Sequence, residues 1–64
     1  MRPTYGSKPI VLTLTHDDGS FDTHEHFTTK AARLEAKRLA NVRTVKAIVM
    51  TDRQTGQHFT LWEG

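Results

Sequence analysis

The chain contains no cysteine, which excludes disulfides and thiolate metal centres and leaves the redox compartment open. It has only two prolines and four scattered glycines, so it holds no glycine-rich phosphate loop. Long apolar runs are missing as well. The longest, residues 10–12 and 47–50, fall far short of the ~20 residues that a membrane-spanning helix needs. Met1-Arg2-Pro3-Thr4 does not open a signal peptide, so a soluble cytoplasmic protein without membrane attachment is the expectation. No serine sits in an elbow motif, and the adjacent Asp17 and Asp18 are turn residues whose polarity serves the turn. A chain of 64 residues has little room for an enclosed pocket of several hundred cubic ångströms. A non-enzymatic role with no catalytic residues and no cofactor is therefore expected.

What is present is enough for one domain near the lower size limit. A domain this small buries only about 60% of the surface its unfolded chain exposes. Without staples, idealised packing or self-association must supply the missing stability. A 36% hydrophobic and 25% charged composition belongs to a globular chain, not a disordered one. The net charge of +2 is modest, so its distribution matters more than its sum. Four of the nine basic residues fall between positions 30 and 38, against the single acid Glu35.

Residues 1–8, with Pro3, Gly6, Ser7 and Lys8, read as a flexible N-terminal arm, and 9–64 as a single domain. Residues 10–16 are rich in β-branched and apolar types and predict a strand. Asp17-Asp18-Gly19-Ser20 signals a turn, and 21–27 returns as a second strand. With Asp18-Gly19 as a two-residue tip, His16 opposes Phe21 and Ile10 opposes Phe27. That register gathers Ile10, Leu12, Leu14, Phe21 and Phe27 on one face, whereas a three-residue loop would send the phenylalanines away. Thr28 or Thr29 can cap a helix over 29–42. Residues 44–51 and 57–62 predict two more strands around the turn Asp52-Arg53-Gln54-Thr55-Gly56. If Asp52 pairs with Gln57, then Ile48, Met50, Phe59 and Leu61 share one face, and Val45, Ala47, Val49, His58 and Trp62 the other. The expected fold is α+β, in the order β-β-α-β-β. It is a four-stranded antiparallel sheet with one helix packed on one face. Strand order and the covered face stay open.

The helix carries Ala32, Ala36, Leu39 and Ala40 on its inner side. Lys30, Arg33 and Lys37 lie opposite, with Arg38 at their edge and Leu34 near them. Such a face can neutralise phosphates and release counterions, with Leu34 as a partner anchor. It can equally be a solvated helix back kept soluble by Glu35 and its neighbours. The uncovered sheet face is a second candidate. Val45, Val49 and Trp62, with Val11, Thr13, His24 and His26, would form a mixed surface for a homodimer or for unpaired bases. His24 and His26, two apart on a strand, point the same way and suggest a divalent metal site, with ordinary surface histidines as the plain alternative.

The run from Phe27 to Ala40, followed by residues 45–49 and Thr51-Asp-Arg-Gln-Thr-Gly56, resembles small accessory proteins of phages and mobile elements. These often place one Ala- and Lys/Arg-rich helix against an antiparallel sheet. Some are anti-CRISPR or host-takeover proteins. The resemblance implies a binding role, with nucleic acid or a host nucleic-acid-associated protein as partner. It assigns no individual residue.

Overall fold

The structure, a computed structural model, describes residues 8–64. In chain order the elements are β1 (Ile10–His16), β2 (Phe21–His26), α1 (Thr29–Leu39), β3 (Val45–Asp52) and β4 (Gln57–Glu63). The strands form one antiparallel sheet in the order β2-β1-β3-β4, and α1 packs on one face. This is the expected α+β architecture. The N-terminal arm expected over 1–8 lies, apart from Lys8, outside the described residues. The two apolar strands, β1 and β3, take the centre, and the more polar β2 and β4 take the edges, where no further strand pairs with them among the described residues. β2 and β3 both pair antiparallel to β1 and so run parallel to each other. Joining parallel strands demands a long crossover, which α1 supplies.

The core is Ile10, Leu12 and Leu14 from β1, Val45, Ile48 and Met50 from β3, and Ala32 and Ala36 from α1. Alanine on the inner helix face lets the backbone of α1 sit close to the sheet. Thr28 caps the helix: its hydroxyl accepts from the Ala31 N–H at 3.1 Å. The helix ends at Leu39, sooner than the expected 29–42. Beyond it, Asn41 N–H donates to Arg38 O and Val42 N–H to Leu39 O, bonds that span three residues and tighten the last turn.

The first hairpin differs from the two-residue expectation. Thr15 pairs with Phe21, Leu12 with His24 and Ile10 with His26. His16 N–H donates to Ser20 O at 2.8 Å, Gly19 N–H donates to His16 O at 3.0 Å, and Gly19 has φ +90°. The connection is therefore three residues, a turn closed by a left-handed glycine. Asp18 Oδ1 accepts from both the backbone N–H and the hydroxyl of Ser20, at 2.9 and 2.6 Å, and holds this longer loop. A slip of one residue exchanges the faces of β2. Asp22, His24 and His26 join the leucines on the helix side, while Phe21 turns to the open side. Phe21 and Phe27 are 68% and 71% exposed. Turn chemistry and the cover supplied by α1 outweigh the burial of two phenylalanines.

Two bulges break the alternation elsewhere. Thr15 pairs with Ala47 but His16 with Val45, which turns Val45 into the core. Val49 pairs with Thr60 but Ile48 with Trp62, leaving Leu61 as the extra residue. Leu61 and Trp62 both pack against the core from the helix side. The surface expected from Val45, Val49 and Trp62 with His24 and His26 is therefore not formed. Of its members, Val11, Thr13 and Val49 remain on the open face, in register with Thr23, Thr51 and Thr60. Strict period-two counting cannot anticipate a bulge, and each bulge here moves one side chain across the sheet. Among the described residues, no helix is long and apolar enough to cross a membrane.

Candidate functional site

The outer crest of α1 follows from helical spacing. At about 100° per residue, Leu34 stands at its centre, Lys30 and Lys37 lie to one side, and Arg38 lies to the other. Leu34 is 58% exposed and stands among these cations. Arg33 sits further round, toward β4. Among the described residues, none of Lys30, Arg33, Lys37 and Arg38 forms an ion pair.

Glu35, the one acid on the helix, is turned away from these cations. Its Oε2 lies 3.3 Å from His24 Nδ1, and its Oε1 is hydrogen-bonded to His26 Nε2. The three-residue hairpin loop causes this, since it brings both imidazoles to the helix side of β2. The carboxylate is hydrogen-bonded to His26, with His24 close beside it, and ties one flank of α1 to the edge strand. The pair expected as metal ligands thus meets a carboxylate instead. Among the described residues, no group of three or more His, Asp or Glu side chains is arranged to hold a metal ion.

The other flank of α1 is open. Arg33, Ala36, Lys37 and Ala40 face Leu61 and Trp62 of β4 across a groove of about 380 Å³. Small helix residues leave the space, and the bulge at Leu61 supplies the indole on its far wall. Sequence spacing placed Arg33 and Lys37 on one candidate surface and Trp62 on another; the fold brings all three to one groove. By sequence pattern Leu61, Ala36 and Ala40 are core-type residues only. Nothing in a linear pattern marks them as lining a cleft. The ring of Trp62 is steadied from one side by the backbone of Gly64. A Cβ at position 64 would meet Trp62 Cη2 at 2.6 Å, and Gly64 N–H donates to Lys46 O at 2.8 Å.

Such a site has an aromatic wall, an apolar floor and two positive charges on its helix side. It suits a flat ring carrying an anion better than either alone. Neutral apolar ligands would leave the cations unused, and a bare anion would not use the indole.

Two further polar links serve the scaffold. His16 Nε2 lies 2.8 Å from Asp22 Oδ2 and its Nδ1 lies 3.1 Å from Thr44 Oγ1. With the proton on Nε2 donated to the carboxylate, Nδ1 accepts from the threonine hydroxyl. The ring thereby joins β2 to the segment entering β3. On the open face, an Arg53 guanidinium N–H donates to Glu25 at 2.8 Å. No family model, curated protein or solved structure matches the chain.

Proposed function

We propose that this domain is a non-enzymatic binding protein that engages nucleic acid through the basic side of α1 and the adjoining groove. The observation that carries the reading is the convergence of Arg33 and Lys37 with Trp62 around one groove. Two facts support it. The cations are free of carboxylate partners among the described residues, and the only acid on the helix is held on the opposite flank. Lys30 and Arg38 extend the positive surface along the crest, with exposed Leu34 between them as a further contact. The resemblance to phage and mobile-element accessory proteins favours the same class of role, on free nucleic acid or within a host nucleic-acid-handling complex. Salt titration of binding to a short oligonucleotide is the test. Affinity that falls steeply with salt, and that is lost when Arg33 and Lys37 are reversed to Glu, is the expected result. Affinity indifferent to both would remove the basic side of the helix from the function.

A second reading is a homodimer through the open sheet face. It is supported by Phe21, which is 68% exposed on the open face that also carries Val11 and Val49. Sedimentation at micromolar concentration tests it: a dimer that Phe21→Asp dissociates supports this reading, and a strict monomer rejects it.

A further inference from the structure

We infer that the groove between α1 and β4 takes an unpaired nucleotide of a single strand, its base against Trp62 and its phosphate beside Arg33 and Lys37. This rests on the nucleic-acid reading above and narrows it from any polyanion to unpaired bases. Four observations lead there.

The indole is only half-buried, so one part of the ring packs on the core while another part faces the groove. Two cations, Arg33 and Lys37, line the same groove from the helix wall, one helical turn apart. The groove, at about 380 Å³, is at the small end of the range for small-molecule sites and is suited to one planar group, not to a double helix. A duplex would present only phosphates to the crest, because its bases are stacked inside and cannot reach an indole recessed behind the helix. Base stacking on Trp62 therefore requires a base that is already free of the stack.

Phe59 adds a second platform on the same edge strand. It pairs with Met50, which puts it on the helix side, and it is 41% exposed. From Phe59 to Trp62 the helix-side surface of β4 offers an aromatic at each end with Leu61 between. A backbone tracking along the basic side of α1 would lay successive bases toward β4. Single-strand binders combine the same two elements, a positive track and aromatic platforms.

Trp62 is the only tryptophan in the chain, so its fluorescence reports this site alone. The experiment titrates the whole protein with a 12-nucleotide single strand, a 12-base-pair duplex and inorganic polyphosphate at equal ionic strength. The expected result is quenching of Trp62 by the single strand only, with tighter binding to it than to the duplex. Trp62→Ala should weaken single-strand affinity by roughly 5- to 150-fold, the span that one base–aromatic stack supplies, and duplex affinity by much less. Trp62→Phe, which keeps an aromatic wall and protects folding, should retain most of the single-strand affinity.

Equal quenching by polyphosphate or duplex, or an equal loss of both affinities in Trp62→Ala with Trp62→Phe behaving likewise, would overturn the unpaired-base proposal. The basic-face reading would survive that outcome provided Arg33→Glu and Lys37→Glu abolish binding. If no polyanion binds at all, both fall together.

Discussion

Trp62 stands directly opposite Ile48, one residue out of step with the alternation that holds from Gln57 to Thr60. The bulge at Leu61 is what faces the indole toward the helix. If β4 were a regular ladder, Leu61 would oppose Ile48 and Trp62 would look out over the open sheet. Deleting Leu61 separates the two cases. In the bulged strand the deletion removes only the extra residue, so Trp62 still opposes Ile48 and its emission maximum stays near that of the parent. In a regular ladder the same deletion would carry the indole from one face to the other, and its emission would shift toward the blue. Fluorescence with acrylamide quenching decides between them.

The hairpin register makes a second contrast, between Leu12 and Phe21. Leu12 is fully buried, and Phe21 is 68% exposed on the other face. Leu12→Ala should cost about 2–5 kcal/mol. That is comparable to the whole stability expected of a 64-residue domain, roughly 3–10 kcal/mol. Phe21→Ala should change stability by less than about 1 kcal/mol. Urea melts of the two variants provide the measurement. Comparable losses from both would mean that Phe21 is packed with the leucines and that the two-residue loop is correct after all.

How much of this was legible follows from the kind of signal each feature carries. The four strands and the helix are written in β-branched runs, turn residues and a basic amphipathic stripe, and their positions were readable to within a few residues. The faces were not. For β2, the choice between a two- and a three-residue loop depended on Asp18 bonding to Ser20, a side-chain contact that apolar clustering alone argued against. For β4, the bulge at Leu61 left no mark in the alternation of residue types. Both errors are slips of a single residue. Together they misplaced Phe21, which lies on the open face, and His24, His26 and Trp62, which define the two flanks of α1. The basic crest was legible because helical periodicity tolerates an error of one residue at either end.

Asp18 predicts an acid-side effect with a definite sign. Hydrogen bonds from the Ser20 hydroxyl and then from the Ser20 backbone N–H hold its carboxyl below the ordinary carboxylate range. As pH falls, the unfolded carboxyl takes up its proton first, near its usual value of about 3.9, and the folded one only at lower pH. The unfolded state binds more protons in that interval. The contribution of Asp18 is therefore complete above the unfolded value and lost as pH drops through the folded one. Thermal midpoints of the parent and Asp18→Ala, followed from pH 6 downward, should converge toward the acid end. Curves that remain parallel would show that the carboxylate has no part in holding the loop.

The contact of Glu35 with His26 sets the last prediction, because it links the scaffold to the proposed binding surface. Glu35 is 29% exposed and His26 20%, so the pair is shielded enough for removal of one partner to leave a partly buried polar group unsatisfied. Glu35→Ala should destabilise the domain by about 1–2 kcal/mol. In a double-mutant cycle with His26→Ala, the losses should fall short of additive, by an amount that reports the contact itself. Glu35→Gln keeps an acceptor oxygen and should lose less. The same substitutions bear on function in the opposite direction. Removing Glu35 deletes the only negative charge on α1 while leaving Arg33, Lys37 and Trp62 in place, so oligonucleotide affinity at low salt should hold or rise while the melting temperature falls. If affinity instead dropped in step with stability, the groove would depend on the tether at His26, and the two flanks of the helix could not be treated as independent.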